Sequence, residues 1–89
     1  MLRLPAELTH RQASACLRQL IAALPAGQGG AVVVDASALT TFDSSALAVL
    51  LECRRAAARA GRALAVRAMP AGLASLAQLY RVDGLLPAG

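Results

Sequence analysis

A chain of 89 residues has room for one domain with one core and little for a deep substrate cleft, because small domains bury a smaller share of their surface. Apolar residues make up 57% of it, yet the only aromatics are Phe42 and Tyr80, so the core must be aliphatic and built from modest individual contacts. The net charge of +4 rests on arginines alone, spread along the chain without a lysine, which argues against a nucleic-acid-binding stripe.

The longest uninterrupted apolar run, Ala46 to Leu51, falls far short of the roughly 20 residues that cross a bilayer. Met1 to His10 lacks the apolar segment of a signal peptide, so the expectation is a soluble, unexported protein. Cys16 and Cys53 fall on separate helical segments with no other strong ligands nearby. That suits buried or half-buried free thiols in a reducing compartment better than a disulfide framework or a zinc site.

In chain order, Leu2, Leu4 and Ala6 alternate with Arg3 and Pro5, the pattern of a half-buried strand whose proline suits a sheet edge. Thr9-His10-Arg11-Gln12 matches a capping box and predicts a helix over 10–24. Its apolar stripe is Ala13, Leu17, Leu20, Ile21 and Leu24, and Pro25 and Gly27 end it. After Gly29-Gly30, the β-branched run Ala31 to Asp35 predicts the central strand, of the kind covered on both faces. The span 36–42 is short and rich in Ser and Thr and reads as the loop from strand to helix.

Asp43 is placed to N-cap the next helix, with Ser44 and Ser45 in its first turn. Leu47, Leu50, Leu51 and Ala58 form the buried side of that helix. Arg54, Arg55 and Arg59 complement the dipole near its end, and Gly61 terminates it. Ala63 to Ala68 alternates as a strand, Pro70 opens a third helix faced by Leu73, Leu76, Ala77 and Tyr80, and Val82, Leu85 and Leu86 form an apolar tail that must cover something. Strands alternating with helices imply an α/β fold with a mixed, mostly parallel sheet in a single domain, 1–89.

Little in the sequence points to catalysis. The only histidine, His10, is far in sequence from Ser44 and Ser45, and no G-x-S-x-G elbow is present, so a Ser-His-Asp triad is not expected. The carboxylates Glu7, Asp35, Asp43, Glu52 and Asp83 are too sparse for an acid-base pair or a metal cage, and no cofactor is expected. Gly27-Gln28-Gly29-Gly30 precedes a strand and reads as a turn rather than a phosphate cradle. What stands out is Thr40 to Leu47, where hydroxyls and a carboxylate crowd a helix N-terminus. Capping alone explains one of those groups, whereas phosphorylation of a serine there would be favoured by the dipole and opposed by Asp43.

The stretch Val32-Val33-Val34-Asp35 followed by Asp43-Ser44-Ser45-Ala46-Leu47 resembles the hallmark of the STAS domain family, a hydrophobic strand ending in Asp and then Asp-Ser-Ser-Gly-Leu opening a helix. Leu4-Pro5-Ala6-Glu7-Leu8, Ala46 to Leu51, and Leu76-Ala77-Gln78-Leu79-Tyr80 before Leu85-Leu86-Pro87 are similar to its MlaB-type branch, accessory subunits of an ABC-type phospholipid transporter that maintains outer-membrane lipid asymmetry. The resemblance implies a non-catalytic cytoplasmic module that binds the transporter's ATPase subunit at the inner membrane. It places the partner surface at Thr41, Asp43, Ser44, Ser45, Ala46 and Leu47, with Ser44 at the ATPase contact. In the anti-sigma factor antagonists of the same family the phosphorylated serine corresponds to Ser45, and the partner is a serine kinase; Ser44 is its neighbour. The chain departs from the family in having Ala46 for the usual glycine and in lacking the first strand of the N-terminal hairpin. That gap leaves residues 1–6 open to pairing with a second copy.

Overall fold

The computed structural model describes residues 2–24 and 30–89, so the expected helix terminators Pro25 and Gly27 and the turn 27–29 lie outside the described residues. In order the chain forms β1 (Leu2–Arg3), β2 (Glu7–Leu8), α1 (Ala13–Ala22), β3 (Ala31–Asp35), β4 (Thr41–Phe42), α2 (Ser45–Arg59), β5 (Ala63–Arg67) and α3 (Ala71–Leu79), followed by a 3-10 turn at Asp83–Leu85. The main sheet runs β1-β3-β5, and β2 pairs separately with β4. Every pairing between these strands is parallel. The expected edge strand is at the edge, the β-branched run is central, and the fold is α/β.

In β3 and β5, Val32 lies beside Leu64 and Val34 beside Val66, and all four are buried. They join Leu20, Leu47, Leu50, Cys53, Leu73 and Leu86 in a single aliphatic core. Val33 and Ala65, which alternation turns to the opposite face, are only half-buried. The expectation of a strand covered on both faces therefore holds for one face alone, since the buried residues of the helices pack on that face. Tail residues Pro87 to Gly89 extend the sheet beyond β5: the Val66 amide donates to the Pro87 carbonyl at 2.8 Å and the Gly89 amide to the Val66 carbonyl at 3.1 Å. Of the expected apolar tail, Leu86 is buried and Val82 packs against the core, whereas Leu85 is 40% exposed.

Three helix faces differ from their expected stripes. In α1 the buried pair is Cys16 and Leu20 while Ile21 is exposed. In α2 Ala57 rather than Ala58 is buried, alongside Ala46, Leu47, Val49, Leu50 and Cys53, and in α3 Tyr80 is exposed. The centre of each expected stripe holds, with Leu20, Leu47, Leu50, Leu73 and Ala77 buried; the differences fall at flanking positions, and Tyr80 lies just past the end of α3. Both cysteines are free and buried. Burial pushes both thiols up from their ordinary range, and Cys16 adds to the rise at Cys53.

The ends of α2 and α3 follow one pattern. Past α2 the Gly61 amide donates to Ala58 and the Arg62 amide to Ala57; past α3 Arg81 donates to Gln78 and Val82 to Ala77, both Schellman closures. The left-handed residue is Gly61 (φ 71°) in one and Arg81 (φ 58°) in the other. Only glycine adopts that conformation without a Cβ penalty. Arg81→Gly should therefore raise stability by about 0.5–1 kcal/mol, read as a higher urea midpoint at unchanged slope. A lower midpoint would mean that the Arg81 side chain contributes more than its backbone costs.

Candidate functional site

The span from β3 to α2, expected to be a loop without another full element, contains the short β4, whose two residues pair with β2 as Glu7↔Thr41 and Leu8↔Phe42. The Ala6 carbonyl accepts the Thr40 amide at 2.9 Å, the Thr41 amide at 3.0 Å and the Thr40 hydroxyl at 3.2 Å. This ladder lays residues 6–8 along 40–42, so the chain leaving β2 meets the chain entering α2.

At that meeting point the Asp43 carboxylate bridges two segments. Its Oδ1 accepts the Ser45 amide at 2.8 Å, from one residue before the N-cap, which is Ser44 rather than the expected Asp43, and its Oδ2 accepts the His10 amide at 3.0 Å and lies 3.3 Å from His10 Nδ1. The His10 amide above all, with the Ser45 amide, holds the Asp43 carboxyl down at about 2. The Thr9-Gln12 box forms by half: Gln12 Oε1 accepts the Thr9 amide at 2.9 Å and the Thr9 hydroxyl at 2.7 Å, but the Thr9 hydroxyl accepts from Arg11. With the His10 amide drawn to Asp43, residues 10–12 form a turn, and α1 begins at Ala13 instead of His10.

His10 thus stands beside Asp43 despite its separation in sequence. The His10 side chain is 74% exposed, and its contacts with Asp43 clamp the turn before α1 to the start of α2. Sequence reasoning missed His10, and the signal that finds it is the two-residue β2–β4 register. Asp35, at the end of β3, closes its own turn by accepting the Ser37 amide at 3.0 Å, which lowers its carboxyl below the usual range.

Of the expected partner surface, Thr41 and Ser44 are exposed and Asp43 and Ser45 half-buried. Ala46 and Leu47 are not available: they are 0% and 2% exposed and belong to the core. Alanine in place of the hallmark glycine is accommodated because this position, in the first turn of α2, does not need a positive φ. On the adjoining side, Gly72 of α3 approaches the Phe42 ring so closely that a Cβ there would lie 3.2 Å from it. The N-termini of α2 and α3 are thereby held together. Hollows of about 310, 440 and 190 Å³ lie elsewhere and are lined by other residues.

A two-layer α/β module, with a parallel sheet, helices on one face of it and a helix offering hydroxyls at its exposed N-terminus, is the class that fold and site define. The chain belongs to the STAS domain family: the family model described as "Mlab, STAS domain" matches residues 1–87. Among solved structures, an anti-sigma-factor antagonist (STAS) domain protein from Planctomyces limnophilus superposes with a TM-score of 0.81 at 18% identity, covering 97% of this chain and 77% of that one. At that identity the likeness shows the fold. A comparison with curated proteins found no match.

Proposed function

We propose that this chain is a non-catalytic binding subunit that docks on the ATPase of an ABC-type phospholipid transporter, at the cytoplasmic face of the inner membrane. The observation that carries this reading is the match of nearly the whole chain to the MlaB-type STAS family. The geometry supports it: Thr41, Asp43, Ser44 and Ser45, with His10 beside them, form a surface held by hydrogen bonds from two segments. Such pre-organisation lowers the ordering cost of association. Among the described residues no helix is long and apolar enough to cross a membrane, so attachment to the membrane would come through the partner.

Co-expression with the cognate ATPase subunit should yield a co-purifying pair. Ser44→Glu should lower recovery about tenfold or more, since a desolvated unpaired charge in an interface costs well over 1.4 kcal/mol, whereas Ser45→Ala, which removes one hydroxyl and adds no charge, should lower it far less. A wild-type chain that does not co-purify would sink the proposal. The second reading, an anti-sigma factor antagonist, draws on the solved relative of that description and on the Ser45 hydroxyl in the first turn of α2. It requires a partner kinase to place phosphate on Ser45, and mass spectrometry of the protein from its own cells decides it.

A further inference from the structure

The two edges of the main sheet differ in what they offer another strand. In a parallel strand each residue directs both its backbone groups to one neighbour, and successive residues alternate sides. The Asp35 carbonyl accepts the Leu4 amide and the Arg67 carbonyl accepts the Ala36 amide. With the registers of β1 and β5 on β3, Leu2 and Leu4 therefore point inward, as do Ala63, Ala65 and Arg67. At the β1 edge Arg3 faces outward, and the next outward residue, Pro5, has no amide. The β5 edge presents the amides and carbonyls of Leu64 and Val66. Residues 86–89 run parallel along it, with Ala88 bridged to Val66, and take both backbone groups of Val66 but neither of Leu64. Leu64 is 3% exposed, and among the described residues its amide and carbonyl have no hydrogen-bond partner. Buried backbone groups left unmatched are rare enough to need an explanation.

The strap that covers this edge has few anchors. Of residues 83–89 only Leu86 is buried. Hollows of about 310 and 190 Å³ lie against it, one lined by Leu86 and Ala88 and the other by Leu85 and Pro87. A segment held this way opens locally at lower cost than the core. What it uncovers is self-complementary. Two copies of β5 set antiparallel about Ala65 bring Leu64 opposite the partner's Val66 on both sides of the two-fold, which closes four backbone hydrogen bonds. The same register sets Ala63 opposite the partner's Arg67, so no like charges face each other. At β1 a two-fold would instead set Arg3 against its own copy. We propose that the β5 edge is a homodimer interface, covered by residues 86–89 in the monomer and opened to a second copy when they swing away. Self-pairing thus falls at β5 rather than at residues 1–6. The Asp43 surface takes no part in it, and its test needs no ATPase.

Sedimentation equilibrium of the full chain, over about 10 μM to 1 mM, reads weak association of this kind. Two variants loosen the strap. A Cβ on Gly89 would meet Val33 Cγ1 at 3.1 Å and the Ala65 Cβ at 3.3 Å, so Gly89→Val lifts its end, and Leu86→Ser removes its anchor. Each should tighten dimerisation about tenfold or more, because the second copy no longer has to displace the strap. If one of them does not fold, the other carries the comparison. The register is read at Ala63, which is exposed. In the Gly89→Val chain, Ala63→Arg should weaken the dimer about three- to tenfold and Ala63→Glu should tighten it, since each contact with the partner's Arg67 counts twice across the two-fold. In the wild-type chain, hydrogen exchange at the Val66 amide should be at least about tenfold faster than at Val34 in the sheet centre. Folded strap variants that stay monomeric overturn the proposal, as do Ala63→Arg and Ala63→Glu acting alike, or equal exchange at Val66 and Val34.

Discussion

Leu50→Ala should lower the stability of the domain by about 3–4 kcal/mol, the upper-middle of the range for truncating a fully buried leucine. Leu50 is 0% exposed at the middle of α2, the helix that packs on α1, β5 and α3. Its loss opens a cavity where all these elements meet, and none can move in to fill it without leaving another partner. For a domain of this size each kcal/mol moves the melting temperature by about 4–8 °C, so a fall of about 15–25 °C is expected. Leu79→Ala is the matched control: Leu79 is 71% exposed, and its removal should stay within about 0.5 kcal/mol of wild type. Thermal unfolding by circular dichroism reads both. A Leu50→Ala protein melting within a few degrees of wild type would mean that the aliphatic core is not centred on α2.

Asp43→Asn should flatten the acid limb of stability. The Asp43 carboxyl lies well below its ordinary value of 3.8, at about 2, chiefly because the charged form accepts the His10 amide. A depressed folded value means that the unfolded chain binds the proton more readily, so stability rises with pH through this window. Asp43's contribution is whole above about pH 4 and is lost as the pH falls toward about 2. Urea midpoints at pH 7, 4, 3 and 2 should drop more steeply for wild type than for Asp43→Asn, with Asp35, also lowered, supplying a residual slope in the variant. Superimposable profiles would show that the clamp contributes nothing to the folded state. Because the same carboxylate holds residues 9–12 against α2, the variant should also weaken capture of the ATPase more than Ser45→Ala does.

Much of the fold was legible because its signals are local. A β-branched run makes β3, an Asp before a helical period makes the start of α2, Gly61 marks the end of α2, and Pro70 marks the start of α3. The alternation of strands and helices sets the α/β class. The Asp43 cap was equally readable, since a carboxylate in the residues just before a helix has free amides to accept from.

The rest rests on pairings between distant residues, which no local period reports. β2 and β4 have two residues each, too few for an alternation to register, yet their ladder is what sets His10 on Asp43. Ala46 and Leu47 share the hallmark with Ser44 and Ser45, but which members of a motif face outward is decided by where the helix meets its neighbours, and these two meet the core. By itself, then, the sequence determined the elements, the class of fold and a capped helix bearing two serines, because propensity, period and capping act over a few residues. Only the tertiary structure decided which side chains are presented, since exposure and convergence depend on packing between segments as far apart as His10 and Asp43.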